Sequence, residues 1–385
     1  MSQSTTGRFF RRSDPILVTV VIKALNEERH IARAVASARS ALAGIDGGGE
    51  IVLADSRSVD ATVETALREG ARVARLAEGE PRSCGTGPQL GYQHAGGDFV
   101  CLMDGDMELD AGFLSAALGF LALHPTVAGV GGRVRDVNVV NLEFRRRALR
   151  GADDLVPGDV DRLSGGGLYR RAAIASVGHF SDRNLHGHEE FDLGARLRAA
   201  GWRLHRLPIP FVDHHGHIVG GYRLLWRRMR SRYLDGSGEV LRAALGRPHL
   251  RAVLRDLPEL RLWTGVTLAW CGACAFLALM PSIPALCTIV LVLVLLPIAA
   301  MSLRYRSSAV GLYSVVAWNA HAFGMIRGLL APRRPPGEPI ASTIRDDSAE
   351  PRAMSVARAP ASVRDTTGVP ASRGGSVQGG SVDAG

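Results

Sequence analysis

The chain has 385 residues, a formal net charge of +9, 46% hydrophobic residues and five cysteines. That length holds one large domain or two ordinary ones, and the cysteines, Cys271 and Cys274 included, follow neither a disulfide framework nor a zinc spacing. No nucleic-acid motif accompanies the basic excess, and many arginines sit beside apolar segments, so lipid headgroups and a phosphorylated substrate account for the charge and nucleic acid is excluded as partner.

Residues 1–14 are an N-terminal extension. Arg11 and Arg12 before an apolar stretch imitate a signal peptide, but the run is short, is interrupted by Lys23 and has no small-residue cleavage site. Val- and Ile-rich Ile16–Ile22 predicts a first buried strand. Asn26 is expected to cap the next helix, with Glu27 and Glu28 in its first turn and Ile31, Val35, Ala38 and Leu42 along its buried stripe. Further strands are expected at Glu50–Asp55, Ala71–Leu76, Phe99–Met103, Val127–Val134 and Trp202–Leu207, with helices at Asp60–Glu69, 86–96, Ala111–His124 and from near Glu189. Strands alternating with helices predict an α/β domain with a mostly parallel sheet, spanning 15–235. Such sheets bind ligands at the carboxyl ends of their strands. Three of those ends are polar here: Asn26-Glu27-Glu28, Asp55-Ser56 and Asp104-Gly105-Asp106.

Gly221–Leu234 is basic and amphipathic, with Leu225, Trp226, Met229 and Tyr233 on one face, as in a helix lying on a membrane surface. A juxtamembrane helical linker follows over 236–261, then a membrane region over 262–331. Segments 262–280 and 282–303 are each long enough to span a bilayer, which takes about 20 apolar residues. Joined by a short Pro-containing turn, they form a hairpin whose flanking arginines, Arg255, Arg261, Arg304 and Arg306, place the catalytic domain on the cytoplasmic side of the inner (plasma) membrane. A third segment at 309–330 carries Asn319, His321 and Arg327, so an interfacial or re-entrant helix is favoured over a full span. The Pro-, Gly-, Ser- and Arg-rich stretch 332–385 is expected to be a disordered tail.

The sequence FVCLMDGDMEL ends an apolar strand on two carboxylates, Asp104 and Asp106, with a glycine that permits a tight turn between them. Oxygen ligands of this kind suit Mg²⁺ or Mn²⁺ carrying a diphosphate. His214, in Asp213-His214-His215-Gly216-His217, is a lesser metal-ligand candidate.

In order along the chain, VTVVIKALNEERHIARAV, EIVLADSRSVDAT, GYQHAGGDFVCLMDGDMEL, GGGLYRRAAI and HEEFDLGARLRAAGWRL resemble the family 2 glycosyltransferases of the GT-A fold over roughly residues 16–235. The resemblance implies a nucleotide-diphosphate sugar donor and inversion at the anomeric carbon. It implies Asp55 on the base, Ser58 and Asp60 shaping that pocket, Asn26 and Glu27 beside the nucleotide, and Asp104 at the ribose and metal side. It further implies metal at Asp106, a general base at Glu190 or the adjacent Glu189, and an acceptor side built by Gly166, Arg170 and Asp192. The Gln-x-x-Arg-Trp motif of processive synthases is absent, so a single addition to a lipid-linked or cell-surface glycan acceptor is expected. The alternative is a non-catalytic membrane scaffold that binds sugar nucleotides with the same fold.

Overall fold

The structure, a computed structural model, describes residues 17–137, 156–215 and 221–346. The expected extension over 1–14, His217 and everything beyond 346 lie outside the described residues.

Strands β1 (Val18–Ala24), β2 (Gly49–Asp55), β3 (Arg72–Leu76) and β4 (Phe99–Asp104) form a parallel set in the order β3-β2-β1-β4. β1 is buried on both faces, which explains its continuous apolar run. Val20 and Ile22 face α1 (Ile31–Ala43) and α4 (Phe113–Leu123), while Val21 packs with Val52, Val100 and Leu90 of α3 (Thr86–His94). A second helix, α2 (Thr62–Arg68), lies before β3. This is the expected α/β domain with parallel strands between helical layers.

Beyond β4 the sheet is mixed. β8 (Gly167–Arg170) inserts antiparallel between β4 and β6 (Val127–Asp136), so the expected fifth strand is not a direct neighbour of the fourth. β9 (Arg203–His214) runs parallel to β6. Two three-residue strands, β5 (Met107–Leu109) and β7 (Gly158–Val160), pair antiparallel with β9. None of β5, β7 and β8 shows in the hydrophobic pattern, because strands of three or four residues are too short to establish a period.

After β8 come α5 (Arg171–Ser176), α6 (Glu189–Ala199), α7 (Gly221–Arg230), α8 (Gly236–Ala244) and α9 (Leu250–Asp256). The amphipathic helix ends at Arg230, and Arg232 turns left-handed at φ +65°. Leu225 and Met229 pack against Leu234 and Ala320, whereas Trp226 is 64% exposed, off the face assigned to it from spacing.

Three helices are long and apolar enough to cross a membrane: α10 (Glu259–Leu279), α11 (Ile283–Tyr305) and α12 (Ser308–Leu330). Ser282 caps α11 by accepting the Ala285 N–H at 3.3 Å. A π-helical turn at Leu291–Leu295 precedes Pro297, whose missing N–H interrupts the regular ladder. α12 differs from the other two. Tyr313 meets Tyr222, Gly324 abuts the Leu234 backbone, and Gly328 abuts that of Asp235, so one face lies along the catalytic domain from end to end. Its polar residues are satisfied by α10 and by the domain: Trp270 of α10 donates to Asn319 at 2.6 Å, His321 stacks on Trp263 of α10 at 4.7 Å, and Arg327 bonds the fully buried Asp235 at 2.6–2.9 Å.

Within the expected tail, residues 332–346 pack against the rest of the chain. Arg333 pairs with Asp182 at 2.9 Å, Arg334 with Glu80 at 3.0 Å, and Gln93 brackets the Ile340 backbone with two hydrogen bonds. Ile340 is buried, and β10 (Ser342–Arg345) then adds antiparallel to β3. A composition poor in apolar residues misleads here because one buried isoleucine and backbone pairing at an existing sheet edge suffice to fix a strap.

Candidate active site

Parallel register aligns the polar ends: Ala24 pairs with Asp55 and Lys23 with Asp104. Asn26 adopts φ +58°, a left-handed conformation that Asn tolerates. It does not cap α1, which starts at Ile31 with no side-chain cap and no acid in its first turn. Instead its side chain accepts the Val59 N–H and its own N–H donates to Ser58 Oγ, both at 2.9 Å. Glu27 donates its N–H to Thr62 Oγ1 at 2.8 Å and Glu28 its N–H to Asp60 at 3.2 Å. Burial pushes the Asp60 carboxyl up, but hydrogen bonds from Thr62 and Glu28 outweigh this and hold it below the usual range. Asp55, fully buried, accepts the Ser58 N–H at 3.1 Å and lies 3.6 Å from Arg75. Asn26, Glu27, Asp55, Ser58 and Asp60 are therefore one stitched wall.

The Asp104-Gly105-Asp106 turn closes the opposite side. Gly105 donates its N–H to the Lys23 carbonyl at 2.9 Å, and a Cβ there would lie 3.1 Å from the side chains of Ala24 and Glu27, a tight fit that favours glycine. β5–β9 pairing then brings His214 to Asp106, Nε2 to Oδ2 at 3.4 Å, while its Nδ1 lies 2.8 Å from Asp136. The hydrogen bond to Asp106 raises the imidazole against its burial, and Asp136 adds to that, taking it to about 9. Among the described residues no group of three or more His, Cys, Asp or Glu side chains is assembled around a metal position.

Lys23 went unrecognised as a site residue in the sequence, where it only interrupts an apolar run. Its ammonium lies 3.1 Å from Asp104 and 3.3 Å from Glu189, joining the acidic turn to the start of α6. Burial alone would lower it, but Asp104, Glu189 and Glu190 overcome that and hold it well above the ordinary lysine value. Burial pushes Asp104 up, opposed by Lys23 and reinforced by Asp106. A lone lysine in a buried strand, one residue from its polar end, was the available signal.

The glycine triplet before β8 passes against β4. Gly166 has φ +101°, and a Cβ on it would strike the Leu102 carbonyl, so its role is close approach of two backbones. Gly165 donates its N–H to Glu190 Oε2 at 3.2 Å. Burial, opposed by Lys23 and helped by Glu189 and Asp104, pushes the Glu190 carboxyl up to about 7.

Two expected acceptor-side residues lie elsewhere. β8 runs antiparallel to β4, so Arg170 pairs with Phe99, at the far end of the strand from Asp104. Its guanidinium is committed to the carbonyls of Val127, Leu121 and His124 at the end of α4. Asp192 is buried and pairs with Arg196 at 2.8 Å, turned away from Glu190 because residues two apart on a helix do not share a face.

The family described as Glycosyl transferase family 2 matches residues 19–178. A pre-mycofactocin glycosyltransferase of Mycobacterium tuberculosis is 32% identical over 209 residues, which cover 51% of this chain and 42% of that protein. An N-acetylglucosaminyl-diphospho-decaprenol L-rhamnosyltransferase of the same organism is 27% identical over 208 residues, 44% of this chain and 68% of that one. The chain thus spans under half the length of the first of these relatives. A mannosyltransferase from Pyrobaculum calidifontis, solved with GDP-Man and Mn²⁺, is 20% identical, with a TM-score of 0.49 over 81% of this chain and 87% of that one. Over residues 19–178, the chain is thus similar to glycosyl transferase family 2.

Proposed function

We propose that the chain transfers a single sugar, with inversion, from a nucleotide-diphosphate sugar to a lipid-linked or cell-surface glycan acceptor at the inner membrane, its active site facing the cytoplasm. The observation that carries this reading is the gathering of Asp55, Asp104, Asp106, Glu189 and Glu190 at one edge of the sheet, where α/β folds bind their ligands. The named activities of the two M. tuberculosis relatives support it.

Asp55 and its stitched wall would receive the nucleoside. Asp106 and Asp104 offer carboxylate oxygens that fit Mg²⁺ or Mn²⁺, and His214, in reach of Asp106, would add an imidazole nitrogen only on losing its proton to the incoming ion. When bound, such an ion supplies charge neutralisation for the departing nucleoside diphosphate. Glu190, held close to neutrality by burial, would take the proton of the acceptor hydroxyl as its oxygen attacks the anomeric carbon. Lys23 would keep Glu189 and the start of α6 at a fixed distance from Asp104. α10 and α11 would anchor the domain, with α12 lying between it and the lipid.

Release of nucleoside diphosphate from a panel of nucleotide sugars, with Mn²⁺ present, tests the reading. One donor should stand out, and Asp106→Ala should remove its turnover. Equal turnover by wild type and Asp106→Ala would refute the assignment.

A further inference from the structure

The basic helix α7 does not present the face that its apolar residues predict. Leu224 and Leu225 are buried, and Leu225 and Met229 pack with Leu234, Ala317 and Ala320 on the inner side. The outer face is Tyr222, Arg223, Trp226, Arg227 and Arg230, all exposed. Their spacing of i, i+1, i+4, i+5 and i+8 puts all five on one side of the helix. None of these three arginines has a hydrogen-bond or ion-pair partner among the described residues, and α7 contains no acidic residue. Two large rings and three unopposed guanidinium groups are thus held outward on a helix fixed from behind.

α12 runs beside α7 in the same direction. Tyr222 packs edge-on to Tyr313 at 5.1 Å near the start of both helices, and Arg327 donates to the Met229 carbonyl at 3.0 Å near their ends. Tyr313 to Arg327 is about 21 Å of helix at about 1.5 Å per residue, so α7 flanks much of α12. If this stretch stood upright in the bilayer core, the three exposed arginines would sit in hydrocarbon, where charged side chains are unfavourable. If it lay wholly in water, α12 would expose Leu312, Val316, Phe323 and Leu330 without cover. The headgroup boundary suits both sides: Tyr and Trp rings collect there, and arginine stems lie on apolar surface while their heads reach phosphates.

We propose that α7, with α12 beside it, docks on the surface of an anionic bilayer, with Tyr222 and Trp226 at headgroup level and Arg223, Arg227 and Arg230 paired with lipid phosphates. Three unopposed positive charges favour a negative leaflet over a neutral one. An acidic protein would match the charges but not the exposed apolar side of α12, which follows directly on α11. This docking rests on the proposed anchoring of the chain by α10 and α11, and not on the transfer reaction.

The test reconstitutes the full chain in lipid nanodiscs, with and without phosphatidylglycerol. It reads tryptophan quenching by phosphatidylcholine brominated either high on the acyl chain or near its end. Subtracting Trp226→Phe isolates Trp226, and subtracting Trp270→Phe isolates Trp270 of α10. Trp226 should be quenched by the shallow bromines more than by the deep ones, and more strongly when phosphatidylglycerol is present. The triple variant Arg223→Ala/Arg227→Ala/Arg230→Ala should lose that dependence on phosphatidylglycerol. All four substituted positions on α7 are exposed, so these variants keep the fold. Quenching of Trp270 without Trp226 overturns the docking and leaves the anchor standing; it is the result expected if the face meets water or a partner protein. Quenching of neither overturns anchor and docking together. Stronger quenching of Trp226 by the deep bromines, or a dependence on phosphatidylglycerol that is missing in wild type or survives in the triple variant, also overturns the docking.

Discussion

The donor edge of the sheet and the helix α12 both set polar residues in apolar surroundings, and they do so in opposite ways. Along α12 the polar residues are matched: Asn319 with Trp270, His321 with Trp263, Arg327 with Asp235. At the donor edge like charges are crowded together, with Asp104, Asp106, Glu189 and Glu190 sharing one lysine and one histidine, so that Asp104 and Glu190 are pushed up. A matched set anchors; a strained set of one sign is ready to receive a positive or proton-donating partner.

If that contrast is right, its largest consequence is at Glu190. Glu190→Gln should lower kcat by roughly 10²–10⁴-fold with donor KM little changed. A base must be ionised, and its carboxyl is raised to about 7, so wild-type kcat should climb as pH rises through about 7 and level off above it. Lys23→Met should move that limb to higher pH, since Lys23 favours the ionised form of Glu190. A flat profile from pH 5 to 9 would remove Glu190 from the reaction.

Asp106→Ala sharpens the same side of the comparison. Loss of a placed electrostatic group costs on the order of 10²–10³ in kcat, and Mn²⁺ binding followed by calorimetry should weaken in parallel. At the matched end the effect should be structural. Asp235→Ala leaves the Arg327 guanidinium without its buried partner, a loss of about 1–3 kcal/mol read as a lower Tm in detergent. Removing both partners in Asp235→Ala/Arg327→Ala should recover part of it. Arg170→Ala should have the smallest functional effect: KM for the acceptor unchanged, with stability down by about 1–2 kcal/mol from the lost carbonyl contacts. A raised acceptor KM would return Arg170 to the site.

Legibility in the sequence followed the same division. Asp55, Asp104 and Asp106 drew attention because each sits where an apolar run stops, Glu190 because HEEFDL resembles a family motif, and β1–β4 with α1–α4 appeared close to their expected bounds. Arg170 was misplaced because its neighbour across the sheet depends on the direction of β8, which a four-residue strand does not announce. Lys23 was passed over because its meaning lies in Glu189, 166 positions away.

By itself the sequence determined the order of the longer strands and helices, the acidic turn after β4, and two segments long and apolar enough to span a bilayer, because all of these are written in local periodicity and length. Only the tertiary structure decided the antiparallel insertion of β8, the lysine bridge from the turn to α6, the laying of α12 along the domain, and the strap that ends in β10. These rest on pairings between segments far apart in the chain, whose energies depend on register and approach that no local pattern encodes.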